Sequence, residues 1–389
     1  MASKDEKKAL AAQKKMLKGN KTNAANSNMA KAMAAPEAEG AHPDNSLDYF
    51  SEIHYLPFIK VLRFLPARQV AQMRLVSDRF DYVITRSSHI MPKKKIDDTV
   101  VFKSNDAGEL IVEWIDDSDK KIIETTLAGD QVALSELLRF IHIGGTMFFS
   151  DAVSAADKVL NQLSTAWLTI RPKSVIFSGD LSQTSRDSLR AFLVKVEPSI
   201  KRLHFQYAKN ISHNLLSDNV IRAAGRLDGL MVMPWDRNPA LLDINIGDET
   251  RLAMADADHM PSYFCVMGCS GITPGDIRAF VEEWMAKEGP EEDGKYNSCK
   301  HGMELCQLAF YKCANVMPAV VEEALKEMCG DLLKKETIAA AGTEEMKERV
   351  QYAIQCRARN CRLEIHFHYY VRADFCAFGY HEARVTCRT

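Results

Sequence analysis

Apolar residues recur at helical intervals from residue 49 to residue 90. Ile59, Leu62 and Leu65 fall three apart, with Val61 beside them. They predict a helix that Pro57 can open, because its missing N–H costs little in a first turn. Pro66 stops that helix. A second helix is predicted from Arg68, with Val70, Met73, Val76 and Phe80 along one face, and Val83 and Ile84 add a further apolar turn. After the basic run "PKKK" at 92–95 the pattern turns strand-like. "TVVF" at 99–102, "ELIVEWI" at 109–115 and "KIIETTL" at 121–127 read as short strands or a hairpin, and "ALSELLRFIHI" at 133–143 as a helix.

A repeat follows. Strand-like "TMFF" starts at 146, "SVIF" at 174, "RLHF" at 202 and "GLMV" at 229, at intervals of 28, 28 and 27 residues. Helical patterns lie between them: Leu189, Phe192, Leu193 and Val196 in one, and Val220, Ile221, Ala224 and Leu227 in the next. A strand and a helix every 20–29 residues is the signature of leucine-rich-type solenoids. Each unit has faces that only stacked neighbours can bury. The register loosens afterwards, but the unit recurs. "YFCVM" at 263–267 reads as a strand, followed by the helix "ITPGDIRAFVEEWMAK" with Thr273 as cap, Pro274 at its first position and Asp276 completing a capping box. "EGPEEDGKYNS" is an acidic insert before the strand "LCQLAF" at 305–310 and a helix around Val320–Met328. "RLEIHFHYY" reads as a last strand, with Leu363, Ile365, Phe367 and Tyr369 inward.

Composition changes this picture little. The chain has 389 residues, 46% hydrophobic and 26% charged, an ordinary globular mixture with room for a sizeable core. Its net charge of -2 argues against general affinity for nucleic acid or anionic membrane. No apolar run approaches the roughly 18 residues of a spanning helix. Residues 1 to about 45 are rich in Lys, Ala and Asn, too poor in large apolar side chains to offset chain entropy, and are expected to be disordered. Their Lys clusters fit either a nuclear signal or a solvated tail. No apolar leader marks them for secretion, so cytosol or nucleus is the expectation. All ten cysteines follow residue 264 and none forms a C-x-x-C pair, so free thiols are expected and no metal or other cofactor.

The stretch "LRFLPARQVAQMRLVSDRF" at 62–80 carries more apolar surface than a short helix pair needs for itself. Leu56-Pro57, Phe64-Leu65-Pro66, then Arg74-Leu75-Val76-Ser77 with Phe80 give it a resemblance to an F-box. The Leu-Pro pair lies closer to Phe64 than in the family pattern, and the usual acidic residue after it is absent. The chain beyond, with "GITPGDIRAFVEEW" ahead of "LCQLAF", is similar to the F-box-associated regions of the large nematode-type F-box group. With the composition and the repeat, the resemblance divides the chain into a disordered tail at 1–45, a three-helix F-box at 46–95, a connecting α/β segment at 96–145 and a leucine-rich-like, F-box-associated substrate-binding domain at 146–389. It also implies an adaptor without chemistry of its own. Such proteins dock on the Skp-type linker protein of a cullin ubiquitin ligase and present a substrate protein. Leu56, Pro57, Ile59, Val61, Leu62, Phe64, Leu65, Pro66, Met73, Leu75, Val76 and Phe80 are then the linker-facing candidates. A module of about forty residues is near the lower limit for folding alone, so a partner that completes its core makes physical sense. Periodicity alone is also served by helices packed on the rest of the chain, as in a scaffold that contacts no ligase.

Other motifs carry less. Trp235 and Arg237 follow a strand in "DGLMVMPWDRNP", where a solenoid rims its binding face, and Trp and Arg are favoured anchors. Trp235 fits a core cap equally well. His366 and His368 share one strand face, open to a zinc reading with Cys361 or Cys376, or to outward polar positions opposite Ile365 and Phe367. "CVMGCSG" reads as core cysteine rather than a reactive thiol. "IGGT" at 143–146 reads as a helix stop and turn. No Ser/His/Asp set, paired carboxylates or phosphate loop is recognisable, which leaves an unrecognised site in the cysteine-rich half as the enzymatic alternative.

Overall fold

The computed structural model describes residues 55–65, 67–116, 118, 120–127, 131–166, 169–212, 214–234, 244–255, 259–287, 303–338, 349–357 and 361–368. Compactness divides the chain into Met1–Ile53 and His54–Thr389, and all the described residues belong to the second unit. The expected tail lies outside them, as do Pro66, Trp235, Arg237, Tyr369, Cys376 and the acidic insert.

Three short helices come first: α1 (Tyr55–Leu62), α2 (Ala67–Met73) and α3 (Asp78–Arg86). The second predicted helix is therefore two. Ser77 has extended backbone angles and its hydroxyl accepts the Phe80 N–H at 3.3 Å, so it caps a new helix and Phe80 belongs to α3. Val76 falls in the turn between the two.

The remainder is an α/β protein built on a large mixed sheet. In chain order its elements are β1 (Lys94–Ile96), β2 (Thr99–Ser104), β3 (Leu110–Ile115), β4 (Lys121–Leu127), α4 (Gln131–Phe140), β5 (Ile141–Ile143), β6 (Thr146–Phe149), α5 (Asp157–Thr165), β7 (Ser174–Asp180), α6 (Arg186–Val196), β8 (Arg202–Lys209), α7 (Asp218–Ile221) and β9 (Gly229–Met233). Then follow β10 (Ile244–Gly247), α8 (Asp248–Met254), β11 (Tyr263–Met267), β12 (Cys269–Gly271), α9 (Pro274–Ala286), β13 (Leu305–Tyr311), α10 (Pro318–Cys329), β14 (Leu333–Ile338), β15 (Arg349–Gln355) and β16 (Arg362–His368). The twelve-stranded sheet has the order β14-β15-β16-β13-β11-β9-β8-β7-β6-β2-β3-β4. From β2 to β16 all its neighbours are parallel and each later strand is added on the same side. Antiparallel strands flank this run at both ends: β3 and β4 beside β2, and β15 and β14 beside β16. The segment 96–145, expected as a connection, thus carries one end of the same sheet.

One position of the repeat forms a spine. Phe102, Phe149, Phe177, Phe205, Val232, Val266, Phe310 and Phe367 are successive register partners. The first four rings are stacked, with centroids 5.1, 4.8 and 5.2 Å apart, and Phe192 of α6 meets Phe149 and Phe177 edge-on. All eight side chains are buried in one continuous core with the apolar faces of the helices.

The helices are tied to one another by a device that periodicity does not reveal. In three helices, α5, α7 and α8, the first aspartate accepts the N–H at the start of the next one: Asp157 from Ser185 at 2.7 Å, Asp218 from Gly247 at 2.9 Å, Asp248 from Thr273 at 3.0 Å. Each carboxylate satisfies an orphan donor and lies at a positive helix end.

Several expectations need correction. The helix expected through residue 143 ends at Phe140, because Ile141–Ile143 pairs with β1 as a strand and buries Ile141 and Ile143. "IGGT" is accordingly a strand-to-strand turn, and a Cβ at Gly145 would lie 2.0 Å from the Asp97 carbonyl oxygen. The helix expected over 219–227 is α7 plus a 3-10 turn, Arg222–Ala224, ended by Gly225 at φ +69. Thr273 does cap α9 by accepting the Asp276 N–H, but no capping box forms. The Asp276 carboxylate instead makes a bidentate pair with Arg251 of α8, both side chains being buried.

Candidate functional site

The three N-terminal helices close a small core. Phe58, Ile59, Leu62, Val70, Phe80, Val83 and Ile84 are buried, and Phe58 meets Phe80 edge-to-face at 4.7 Å. Arg74 joins this unit to α4: its Nε donates to Asp81 at 2.6 Å and its guanidinium lies 4.4 Å from the centre of the Phe140 ring.

This closure divides the candidate residues. Ile59, Leu62 and Phe80 face the chain's own interior, and Leu62 is fully buried. Leu62 therefore presents no surface to a partner, contrary to its place among the linker-facing candidates. Leu65 and Met73 are half-buried, and Pro57 is exposed. Leu56, Val61, Phe64, Leu75 and Val76 are exposed, with Phe64 and Leu75 at 89%. Phe64 lies in the turn before α2 and Leu75 and Val76 in the turn after it, so both ends of α2 carry uncovered apolar side chains. Such side chains gain nothing from intramolecular packing, and exposed apolar groups gathered in one small unit mark contact surfaces.

A second candidate is the sheet face opposite the phenylalanine spine. His204, Met231, Cys265, Ala309 and His366 are successive register partners there, as are Arg202, Gly229, Tyr263, Gln307 and Glu364. The Tyr263 ring lies over Gly229, where a Cβ would come 2.2 Å from Cζ, and its hydroxyl hydrogen-bonds His204 Nε2. Burial, with the charge of Arg202 added, pushes His204 down to about 4, so the ring is neutral at pH 7. His204 Nδ1 is buried without a partner.

Nearer β16, burial works against the Glu364 carboxylate, but donors from Gln307 at 3.1 Å and His366 at 3.0 Å, with the charge of Arg362, hold it below its ordinary range. His368 stacks on Tyr311 at 4.2 Å. His366 and His368 do lie opposite Ile365 and Phe367, but they are buried rather than outward polar positions. Among the described residues no three His, Cys, Asp or Glu side chains converge as a metal site requires. Cys269, Cys306 and Cys313 are buried with thiols directed at backbone carbonyls, and burial pushes Cys306 far up. Cys269 is pushed up as well, by its hydrogen bond to Cys313 and by burial, whereas that same bond holds Cys313 below its ordinary value. The thiols of Cys269 and Cys306, held protonated, are poor nucleophiles.

No family model matches the chain, and no curated protein and no solved structure matches it. Its surfaces must therefore be read from their own chemistry.

Apart from His366 and His368, the polar residues of this sheet face were missed by sequence reasoning, which followed the apolar positions. The signal was present: they alternate with the core residues in "RLHF", "YFCVM", "LCQLAF" and "RLEIHFH". A second missed signal is the shared spacing Phe264-x-Val266-x-x-Cys269 and Leu308-x-Phe310-x-x-Cys313, two adjacent parallel strands in register, each followed by a buried cysteine. Among the described residues no helix is long and apolar enough to cross a membrane.

Proposed function

We propose that the protein is a substrate-recognition adaptor of a Skp–cullin–F-box type ubiquitin ligase. The observation that carries this reading is the pair Phe64 and Leu75, each 89% exposed on a helix trio that has already closed a core of its own. Leu56, Val61 and Val76 add to the same uncovered surface. A linker protein seated there would bury these side chains, each contributing roughly 1.5–3 kcal/mol. The sheet is read as a leucine-rich-like solenoid, and it presents the substrate-binding face. In-register parallel strands added in chain order, the 28, 28 and 27 residue spacing and the aspartate links between successive helices support that architecture. The antiparallel strands at either end serve as its caps. The adaptor acts by binding alone, without cofactor, in the cytosol or nucleus.

One observation favours a second reading, a scaffold in which the helices serve only internal packing: Leu62 and Phe80 are turned inward and Arg74 rests on Phe140. A pull-down of the full-length protein with purified linker protein separates the two. The adaptor reading expects binding by wild type that Phe64→Asp and Leu75→Asp abolish while circular dichroism stays unchanged. Leu62→Asp is the contrasting variant and should unfold the helix unit. A folded wild type that does not bind the linker refutes the adaptor.

A further inference from the structure

Three extended segments run side by side at the N-terminal ends of β6 and β7. β1 pairs in parallel with β5, Lys95 standing opposite His142. Beyond β5, Ile143 bridges to Ile170, and the Arg171 N–H donates to the Ile143 carbonyl at 2.8 Å. Strand alternation sorts the side chains. Ile96, Ile141, Ile143 and Ile170 are buried on one face. Lys95, His142 and Arg171 take the other, with Lys95 and Arg171 exposed and His142 half-buried. Lys93 precedes Lys95 by two residues and Lys173 follows Arg171 by two on the same segments.

Charge on this face is unbalanced. Among the described residues the carboxylate on this face is Asp97, whose Oδ2 pairs with Lys95 at 2.7 Å and whose Oδ1 lies over Gly144, where a Cβ would come within 2.7 Å of it. Among the described residues no carboxylate pairs with Lys93, Arg171 or Lys173. His142 feels the surplus: burial first, then Arg171 and Lys95, with Lys93 last, hold it below its ordinary value against the opposing pull of Asp97. The ring is therefore neutral at pH 7 and keeps one N–H to donate. Lys95 and Arg171 stand two inter-strand steps apart, about 10 Å, with the neutral His142 between their segments, and an anion placed there is attracted by both charges.

We propose that this face docks an extended peptide bearing clustered anionic side chains, carboxylate or phosphate. The width, two inter-strand steps or about 10 Å, is the length of about three residues of one extended chain. It is narrow for a nucleic-acid duplex, and a net charge of -2 supplies no wider field to hold one. Arg171 offers the fork that carboxylate and phosphate both fit, Lys173 follows it on the same segment, Lys93 and Lys95 lie on the far segment, and His142 can donate from the one between. This site lies apart from the apolar surface at α2 and stands whether or not the adaptor reading holds.

The test is fluorescence polarisation with the full-length protein and three labelled probes: hexaglutamate, a Gly-Ser peptide carrying two phosphoserines, and the same peptide unphosphorylated. Both anionic probes should bind, more weakly as salt rises from about 50 to 300 mM, and their ratio tells which anion the face prefers. Lys95→Glu, Arg171→Glu and Lys173→Glu together should weaken binding at least about tenfold with an unchanged circular dichroism spectrum. Should that variant misfold, Arg171→Gln and Lys173→Gln singly should each weaken binding about threefold. The His142 ring protons, followed by NMR, should titrate at higher pH with the anionic peptide bound. Equal binding by the reversed variant or by the unphosphorylated peptide overturns the proposal. So does tighter binding of an RNA oligonucleotide than of either anionic peptide.

Discussion

Phe177→Ala perturbs the spine where it is most connected. The ring is fully buried, stacks on Phe149 at 4.8 Å and Phe205 at 5.2 Å, and meets Phe192 of α6 edge-on at 6.4 Å. Its removal leaves a cavity between three aromatic neighbours that belong to two strands and a helix, so the site cannot collapse by moving one side chain. Core Phe→Ala changes cost about 3–5 kcal/mol, and this environment places the expected loss at the upper end. With a urea m-value of about 3 kcal/mol/M, the midpoint should fall by more than about 1 M, read by far-ultraviolet circular dichroism. A double-mutant cycle sharpens the test. Phe149→Leu with Phe177→Leu should show coupling of about 0.5–1.5 kcal/mol, the range of aromatic pairs. Phe102→Leu with Phe205→Leu should be additive, because Phe149 and Phe177 separate those rings. A loss below about 1 kcal/mol for Phe177→Ala, or equal coupling in both cycles, would refute the argument that the sheet is held by nearest-neighbour stacking.

Two further outcomes follow from polar groups. His204 is held at about 4 by burial, below its unfolded value, so the fold binds fewer protons than the unfolded chain between those limits. Stability from this group is complete above about pH 6.5 and falls as pH drops toward 4, by about 3 kcal/mol in all. His204→Gln should flatten that slope in urea melts run between these values, and an unchanged slope would mean that other groups set it. Asp218→Ala removes the acceptor of the Gly247 and Thr250 N–H groups, bonded at 2.9 and 3.1 Å. It should cost about 1–3 kcal/mol in thermal melts, and Asp218→Asn, which keeps a carbonyl acceptor, should recover most of it.

Legibility followed the kind of force. Strands "TVVF", "SVIF", "RLHF", "YFCVM" and "LCQLAF" and helices α6, α9 and α10 were readable because each buries a regular apolar pattern that its own period reveals. The residues that alternate with them were equally present in the sequence and were passed over, because alternation marks a second strand face without showing which side chains become neighbours on it. His204, Tyr263 and Glu364 come from separate strands, and only the register sets them on one face.

The sequence by itself determined the local elements, the 28, 28 and 27 residue rhythm and the surplus of apolar residues near its start. These rest on interactions within one segment, so composition and period suffice to show them. The tertiary structure decided what long-range contact alone can decide. It turned Ile141–Ile143 into a strand against β1. Leu62 turned inward while Phe64 and Leu75 remained outside. Lys95, His142 and Arg171 came together from three segments distant in the chain. Burial and charge depend on which segments become neighbours, and that choice belongs to the packed core as a whole.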